Sequence, residues 1–205
     1  MPHLLRIDAS ARLSGSVSRD LGDVFAAAWT ARPGHALSRR DLARAPVPHI
    51  DQPTIAGFFS PAEARTPELR AATALSDALI AEVQAADALL ITTAMYNFGV
   101  PSALKAWIDH VVRIHRTVAF DGRDFAGIAH PRRAIVVAAY GAGGYEAGAR
   151  FAAADFVTPY LRHVLGFIGI PSVEAVVIQA TNADPAGLDG ALAAARVRLR
   201  ELAMG

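Results

Sequence analysis

The chain has 205 residues, 20 Lys+Arg against 19 Asp+Glu for a formal net charge of +1, and no cysteine. The length predicts a single domain over residues 1–205, since domains run to roughly 100–200 residues and one of this size buries a core without a disulfide or metal staple. The composition excludes thiol nucleophiles, cysteine-zinc sites and iron–sulfur clusters. The near-neutral charge argues against a nucleic-acid partner, and 53% hydrophobic with only 19% charged residues excludes a disordered chain.

In chain order, short apolar runs alternate with longer helical stretches, the pattern of βαβ units. His3–Asp8 reads as the first strand, followed by a Ser-rich turn through Ser18 and a helix to about Arg32. His35–Asp41 reads as a second strand and Ala43–Pro61, with its prolines, as a long loop. Pro67–Ala85 has apolar residues at helical spacing, with Thr66 as N-cap and Pro67 in the first turn. Ala88–Thr93 is a buried-strand run, and the loop Ala94–Pro101 leads into a helix from Ser102 to about Ile114. Ala134–Ala139 reads as a strand ending in a Gly-rich loop, and Ala154–Leu165 as a helix. Val173–Ile178 and Pro185–Ala203 complete the chain as strand and helix. The expected fold is an α/β three-layer sandwich on a five-stranded parallel sheet of order 2-1-3-4-5. No apolar run approaches the roughly 18 residues of a membrane span. The opening MPHLLRIDAS lacks a basic region followed by a long apolar one, which predicts no signal peptide and a cytoplasmic protein.

In such sheets ligands bind beyond the carboxyl ends of the strands, which brings three loops together. Ser10, Ser14, Ser16 and Ser18 lie between the first strand and its helix. They form either an anion site at the helix N-terminus or a plain helix cap. No Gly-Lys-Ser/Thr or Gly-x-Ser-x-Gly pattern accompanies them. Met95-Tyr96-Asn97-Phe98 places apolar rings in a loop, where a planar ligand would cover them or the core would absorb them. The run from Tyr140 to Tyr145 contains Gly141, Gly143 and Gly144, which allow close backbone approach to a ligand or simply make a turn. His110, His115, His130 and His163 have no metal-ligand spacing. His110 with Asp109 and His115 reads as an exposed helix end, and Trp107 as core or interface packing.

Taken together, the chain resembles the flavodoxin-like FMN-dependent NAD(P)H azoreductases and quinone reductases along nearly its whole length. The most specific match is Met95-Tyr96-Asn97-Phe98, followed by Leu104-Lys105 through Asp109. Arg40-Asp41-Leu42, Leu75-Ser76-Asp77, Thr158–Leu161 and Leu165–Gly169 also match. The resemblance implies that Ser10, Ser16, Val17 and Ser18 bind the FMN phosphate. It implies that Met95, Tyr96, Asn97 and Phe98 contact the flavin, together with Tyr140, Gly141, Ala142, Gly143 and Gly144. The family's Ser-Arg-Gly-Gly motif is replaced here by the run from Ala139 to Tyr145, so the loop is expected to act mainly through its backbone. Phe120 stands where the family often has a tyrosine, and Phe120, Tyr145 and Phe167 are expected to line the substrate space.

What the resemblance implies for chemistry is ping-pong transfer of two electrons from NADH or NADPH to a quinone or azo compound. No catalytic side chain and no metal are needed, because the cofactor carries the redox step. It also implies a homodimer with two sites at the interface. A flavin or chromate reductase of the same fold is the alternative within enzymes. A flavodoxin-type electron carrier is the alternative outside them, although such carriers are usually strongly acidic.

Overall fold

A computed structural model describes residues 1–182 and 185–205 of the chain. Five parallel strands form the central sheet: β1 (His3–Asp8), β2 (Ala36–Asp41), β3 (Ala88–Ala94), β6 (Arg133–Ala139) and β7 (Ser172–Ile178). Their order, β2-β1-β3-β6-β7, is the expected 2-1-3-4-5 counted over the sheet. Two short strands, β4 (Val118–Phe120) and β5 (Phe125–Gly127), make a separate antiparallel hairpin. The helices are α1 (Val17–Thr30), α2 (Gln52–Phe59), α3 (Pro67–Gln84), α4 (Ser102–Val111), α5 (Thr158–Phe167) and α6 (Pro185–Met204).

Alternation along each strand builds the three layers, because successive side chains leave opposite faces of a sheet. Leu5, Ile7, Leu89, Ile91 and Val136 face the layer of α3, α4 and α5, where they meet Leu79, Val83, Trp107 and Leu161. Leu4, Leu90, Ile135 and Val137 face α1 and α6, meeting Phe25, Trp29 and Leu199. The inner strands have both faces covered, hence their unbroken apolar sequences.

Three expectations are corrected. The segment Ala43–Pro61 is not all loop. Asp51 caps α2 by accepting from the Thr54 N–H at 2.9 Å, with Pro53 in the first turn, but the helix is only eight residues long and shows little periodicity. The helix expected to reach Ile114 stops at Val111, because the Thr117 hydroxyl donates to the Val111 carbonyl at 2.6 Å and accepts from the Arg113 N–H at 3.1 Å. His110 is not at an exposed helix end. It is buried, with Nε2 3.1 Å from the Pro48 carbonyl and its ring edge-on to Phe58. Trp107 is core, as one of its two readings held.

The α1 face of the sheet also holds charge. Asp8, fully buried, accepts from Thr92 Oγ1 at 2.6 Å and from Arg6 Nε at 2.9 Å, and is paired with Arg39. Beside it, Arg19 on α1 grips both carboxylate oxygens of Asp41 at the end of β2, at 2.6 and 2.8 Å. That hydrogen-bonded guanidinium holds the Asp41 carboxyl at about 2. A depressed folded-state value stabilises the fold above the ordinary carboxylate range, and the contribution is lost as pH falls from about 4 through about 2. We therefore expect Asp41→Asn to be less stable than the parent near pH 6, with the difference shrinking toward pH 2. Urea unfolding followed by circular dichroism at a series of pH values measures it.

Candidate functional site

All five sheet strands run parallel, so their carboxyl ends share one edge. The loops after β1, β3, β6 and β7 meet there around a cleft of about 210 Å³. Ser10, Arg12, Ser16 and Ser18 form one side, Ala94, Met95 and Tyr96 the floor, and Ala139, Gly141, Thr181 and Asn182 the far side.

Three buried hydroxyls, of Ser10, Ser16 and Ser18, cluster at the start of α1. Ser16 holds the N-cap position, yet its side chain does not cap the helix. Its hydroxyl donates to Ser10 Oγ at 3.1 Å and lies 3.4 Å from Ser18 Oγ. The first helical hydrogen bond of the turn is Asp20 N–H to the Ser16 carbonyl, at 2.9 Å. Among the described residues the N–H groups of Val17, Ser18 and Arg19 therefore have no acceptor. Free N–H groups, the positive end of the helix and adjacent hydroxyls make an anion cradle.

The loop after β3 is a two-residue turn. Tyr96 and Gly99 exchange N–H···O bonds at 3.0 and 3.1 Å, and between them Asn97 (φ +48°) and Phe98 (φ +70°) both adopt the left-handed conformation. Asparagine tolerates this, but phenylalanine does so at a cost of about 1–2 kcal/mol. The surroundings fix the strained turn: Met95 N–H bonds Ala139 O at 3.0 Å, Phe156 N–H bonds Phe98 O at 3.1 Å, and Tyr96 Oη accepts from Ala11 N–H at 3.1 Å. Tyr96 and Phe98 are left 42% and 49% exposed, an apolar surface on a rigid support.

In the Gly-rich loop the carbonyls face the scaffold. Those of Tyr140, Gly141 and Ala142 accept from the N–H groups of Thr181, Asn182 and Ala180 at 3.0–3.1 Å. Tyr145 N–H bonds the Gln179 side chain at 2.8 Å. Among the described residues the N–H groups of Gly141, Ala142, Gly143 and Gly144 have no acceptor. Gly141 lines the cleft and the other three follow it on the same loop, so the loop offers backbone donors that are not used within the protein.

Of the residues expected at the site, Ser10, Ser16, Val17, Ser18, Met95, Tyr96 and Gly141 line the cleft. Asn97, Phe98, Ala142, Gly143 and Gly144 lie on the same loops beside it. Tyr140 does not offer its side chain to the cleft, so any contact it makes there is through its backbone. The ring is buried, and its hydroxyl donates to Asp155 Oδ1 at 2.9 Å and stands 2.8 Å from Thr158 Oγ1. Burial pushes its phenol up, so it stays a neutral donor that ties β6 to the start of α5. Asp155 Oδ1 also accepts from the Val157 and Thr158 N–H groups.

The expected substrate residues are not brought to the cleft within one chain. Tyr145 packs between Tyr140 and Phe151. Phe120 stacks on Phe125 at 4.7 Å, and the Phe167 ring lies tilted against Phe125 at 5.8 Å, an exposed aromatic group on the hairpin and α5. Sequence reasoning missed Arg12, Ala94, Ala139, Thr181 and Asn182 in the lining. Thr181 and Asn182 follow the last strand, so the rule that ligands sit beyond strand ends pointed to them.

Residues 2–203 match the model of a family described as a flavodoxin-like fold. The chain belongs to that family. It is 62% identical over 175 residues to an FMN-dependent NADH:quinone oxidoreductase of Xanthobacter autotrophicus, covering 85% of this chain and 84% of that protein. It is 44% identical over 203 residues to FMN-dependent NADH:quinone oxidoreductase 1 of Jannaschia sp., covering 99% and 100%. The azoreductase of Bacillus anthracis superposes with a TM-score of 0.88 at 24% identity, covering 99% of each chain, which shows the shared flavodoxin-like fold.

Gly143 separates ligand effects from folding effects. A Cβ there would meet only Ala180 Cβ, at 3.6 Å, an ordinary contact. We expect Gly143→Val to keep the parent melting temperature within a few degrees while weakening FMN binding to the apoprotein, measured by flavin fluorescence. Gly127 is the opposite case: its Cβ would fall 2.0 Å from Gly169 N. Gly127→Ala should destabilise by about 1–3 kcal/mol in urea unfolding, as overpacking against backbone does.

Proposed function

We propose that this protein is an FMN-dependent NADH:quinone oxidoreductase. Relatives of that name align over 85% and 99% of the chain, and the cleft suits the cofactor. The observation that carries the reading is two sets of N–H groups without an acceptor among the described residues, at Val17–Arg19 and Gly141–Gly144, on loops at the same sheet edge as the exposed Tyr96 and Phe98 rings. A phosphate monoester fits the three serine hydroxyls and the helix terminus. A planar heterocycle fits the aromatic turn, with Asn97 within the same turn to hydrogen-bond its polar edge.

FMN held there would supply two-electron redox chemistry between NADH and a quinone. The chain's own residues hold and tune it. Ser10, Ser16, Val17 and Ser18 anchor the phosphate. Met95, Tyr96, Asn97 and Phe98 set the plane of the ring, since a strained and multiply bonded turn has little freedom to shift. The N–H groups of Gly141–Gly144 favour added negative charge at their edge, and as fixed dipoles they need no reorganisation when that charge arrives.

We place the protein in the cytoplasm, as one domain per chain working in a homodimer. Among the described residues no helix is long and apolar enough to cross a membrane. The group of Phe120, Phe125 and Phe167 is an exposed apolar patch of the kind that marks an interaction surface, and it is outside the lining of the cleft of its own chain. A second copy would bury it, and Phe120 and Phe167 would then border the acceptor space of the neighbouring subunit. NADH is the donor we propose, with azo compounds as a second acceptor class that rests on the resemblance of the Met95–Phe98 turn.

The purified protein should show the bands of oxidised flavin, bleach anaerobically on addition of NADH, and recover its colour with a benzoquinone. A colourless protein that FMN fails to reconstitute would overturn the reading. Light scattering should give about twice the 21.6 kDa of the chain, and a stable monomer at micromolar concentration would remove the shared acceptor site.

A further inference from the structure

Arg19 sits in the first turn of α1, at the positive end of the helix, where a cation is electrostatically misplaced. It is also buried, with only 6% of its side chain exposed. Both features need an explanation that helix formation does not supply. Its guanidinium donates to the Ser10 carbonyl twice, from Nη2 at 2.8 Å and from Nε at 3.3 Å. The same fork holds Asp41 Oδ2 through Nη1 at 2.6 Å and Oδ1 through Nη2 at 2.8 Å. The backbone of Arg19 is held as well, since Arg6 Nη2 donates to its carbonyl at 3.0 Å. An unbroken chain therefore runs from Asp41 on β2, through Arg19 on α1, to Ser10 in the loop after β1.

Ser10 is the centre of the anion cradle. Its hydroxyl accepts from Ser16 Oγ at 3.1 Å and from the Arg12 N–H at 3.3 Å. We infer that Arg19 is a positioning residue for the cradle: clamped by Asp41, its guanidinium fixes the Ser10 carbonyl and so sets where the Ser10 hydroxyl stands. Its side chain is outside the lining of the cleft, and only its backbone N–H belongs to the cradle. Asp41 neutralises its charge, so the cradle attracts the anion through hydroxyls and N–H dipoles, while Arg19 supplies alignment. Only the planar guanidinium spans one carbonyl and two carboxylate oxygens at once, which a lysine ammonium does not. The role rests on the reading of this cleft as the FMN phosphate site.

FMN and riboflavin differ by the phosphate alone, so the ratio of their dissociation constants for the apoprotein isolates the cradle from the ring site. Titrations followed by flavin fluorescence measure it. Arg19→Gln and Arg19→Lys should each lower the preference for FMN about tenfold, the effect of losing a hydrogen bond to a charged group, with riboflavin affinity little changed. Asp41→Asn should lower it in the same direction. It leaves Arg19 in place and keeps the Oδ1 that accepts from the Ala43 and Arg44 N–H groups. Asp41→Asn decides the matter should the Arg19 variants fail to fold.

A merely structural role would lower the melting temperature and leave the ratio unchanged, and an unchanged ratio in folded Arg19→Lys and Asp41→Asn overturns the inference. A parent protein with no preference for FMN over riboflavin would instead overturn the phosphate reading itself, so the two failures are distinct.

Discussion

The site depends on one constraint: five parallel strands in fixed register leave their carboxyl ends on a single edge. Hydrogen bonds run on past the strand ends and lock the loops to one another. Ala9 N–H bonds Thr92 O, Leu42 N–H bonds Asp8 O, Met95 N–H bonds Ala139 O and Tyr140 N–H bonds Ile178 O, at 2.8–3.0 Å. Each loop leaves the sheet in a set position, so that residues more than eighty apart in sequence, such as Ala11 and Tyr96, come within hydrogen-bond distance.

The same edge sorts backbone groups by polarity. The Gly-rich loop turns its carbonyls toward the chain after β7, and α1 opens without a side-chain cap. Several donors at this edge are left without an acceptor among the described residues, while the carbonyls of Tyr140, Gly141 and Ala142 are satisfied within the protein. A cleft of this kind suits an anion and an electron-rich ring edge whatever the nearby side chains are. This explains how Tyr140 can be withdrawn into the core without emptying the site. Its hydroxyl organises the start of α5 through Asp155, and the next residue, Phe156, bonds the carbonyl of Phe98.

Charge plays a scaffolding part on the α1 side. Arg6, Arg19 and Arg39 are matched by Asp8, Asp23 and Asp41 behind the serine loop. The pairs of Arg6 with Asp8 and of Arg19 with Asp41 are largely buried, and such pairs add little net stability over an apolar core but fix geometry, because removing one partner strands the other. Here the fixed geometry is that of β1, β2, α1 and the loop between the first two elements of the chain. The arginine-rich composition, in which Lys105 is the sole lysine, suits such a network because guanidinium groups bind in two directions at once.

By itself the sequence determined the five strands, their order and the three loops after β1, β3 and β6, because strand burial and helical periodicity are local patterns set by neighbouring residues. The serine run and Met95–Phe98 stood out as candidate loops, but their local pattern fits a helix cap and core packing equally well, and it is the resemblance to the family that singles them out as a site. The short α2 and the hairpin β4–β5 were not legible, since elements of eight and three residues carry too little periodicity and are stabilised by what they pack against. Tertiary structure alone decided that Tyr140 turns inward, that His110 is buried under Pro48 and Phe58, and that Arg19 reaches Ser10 and Asp41. It also decided that the loop after β7 closes the cleft through Thr181 and Asn182. These contacts join segments far apart in the chain, and whether a polar side chain meets a partner or water depends on that three-dimensional meeting.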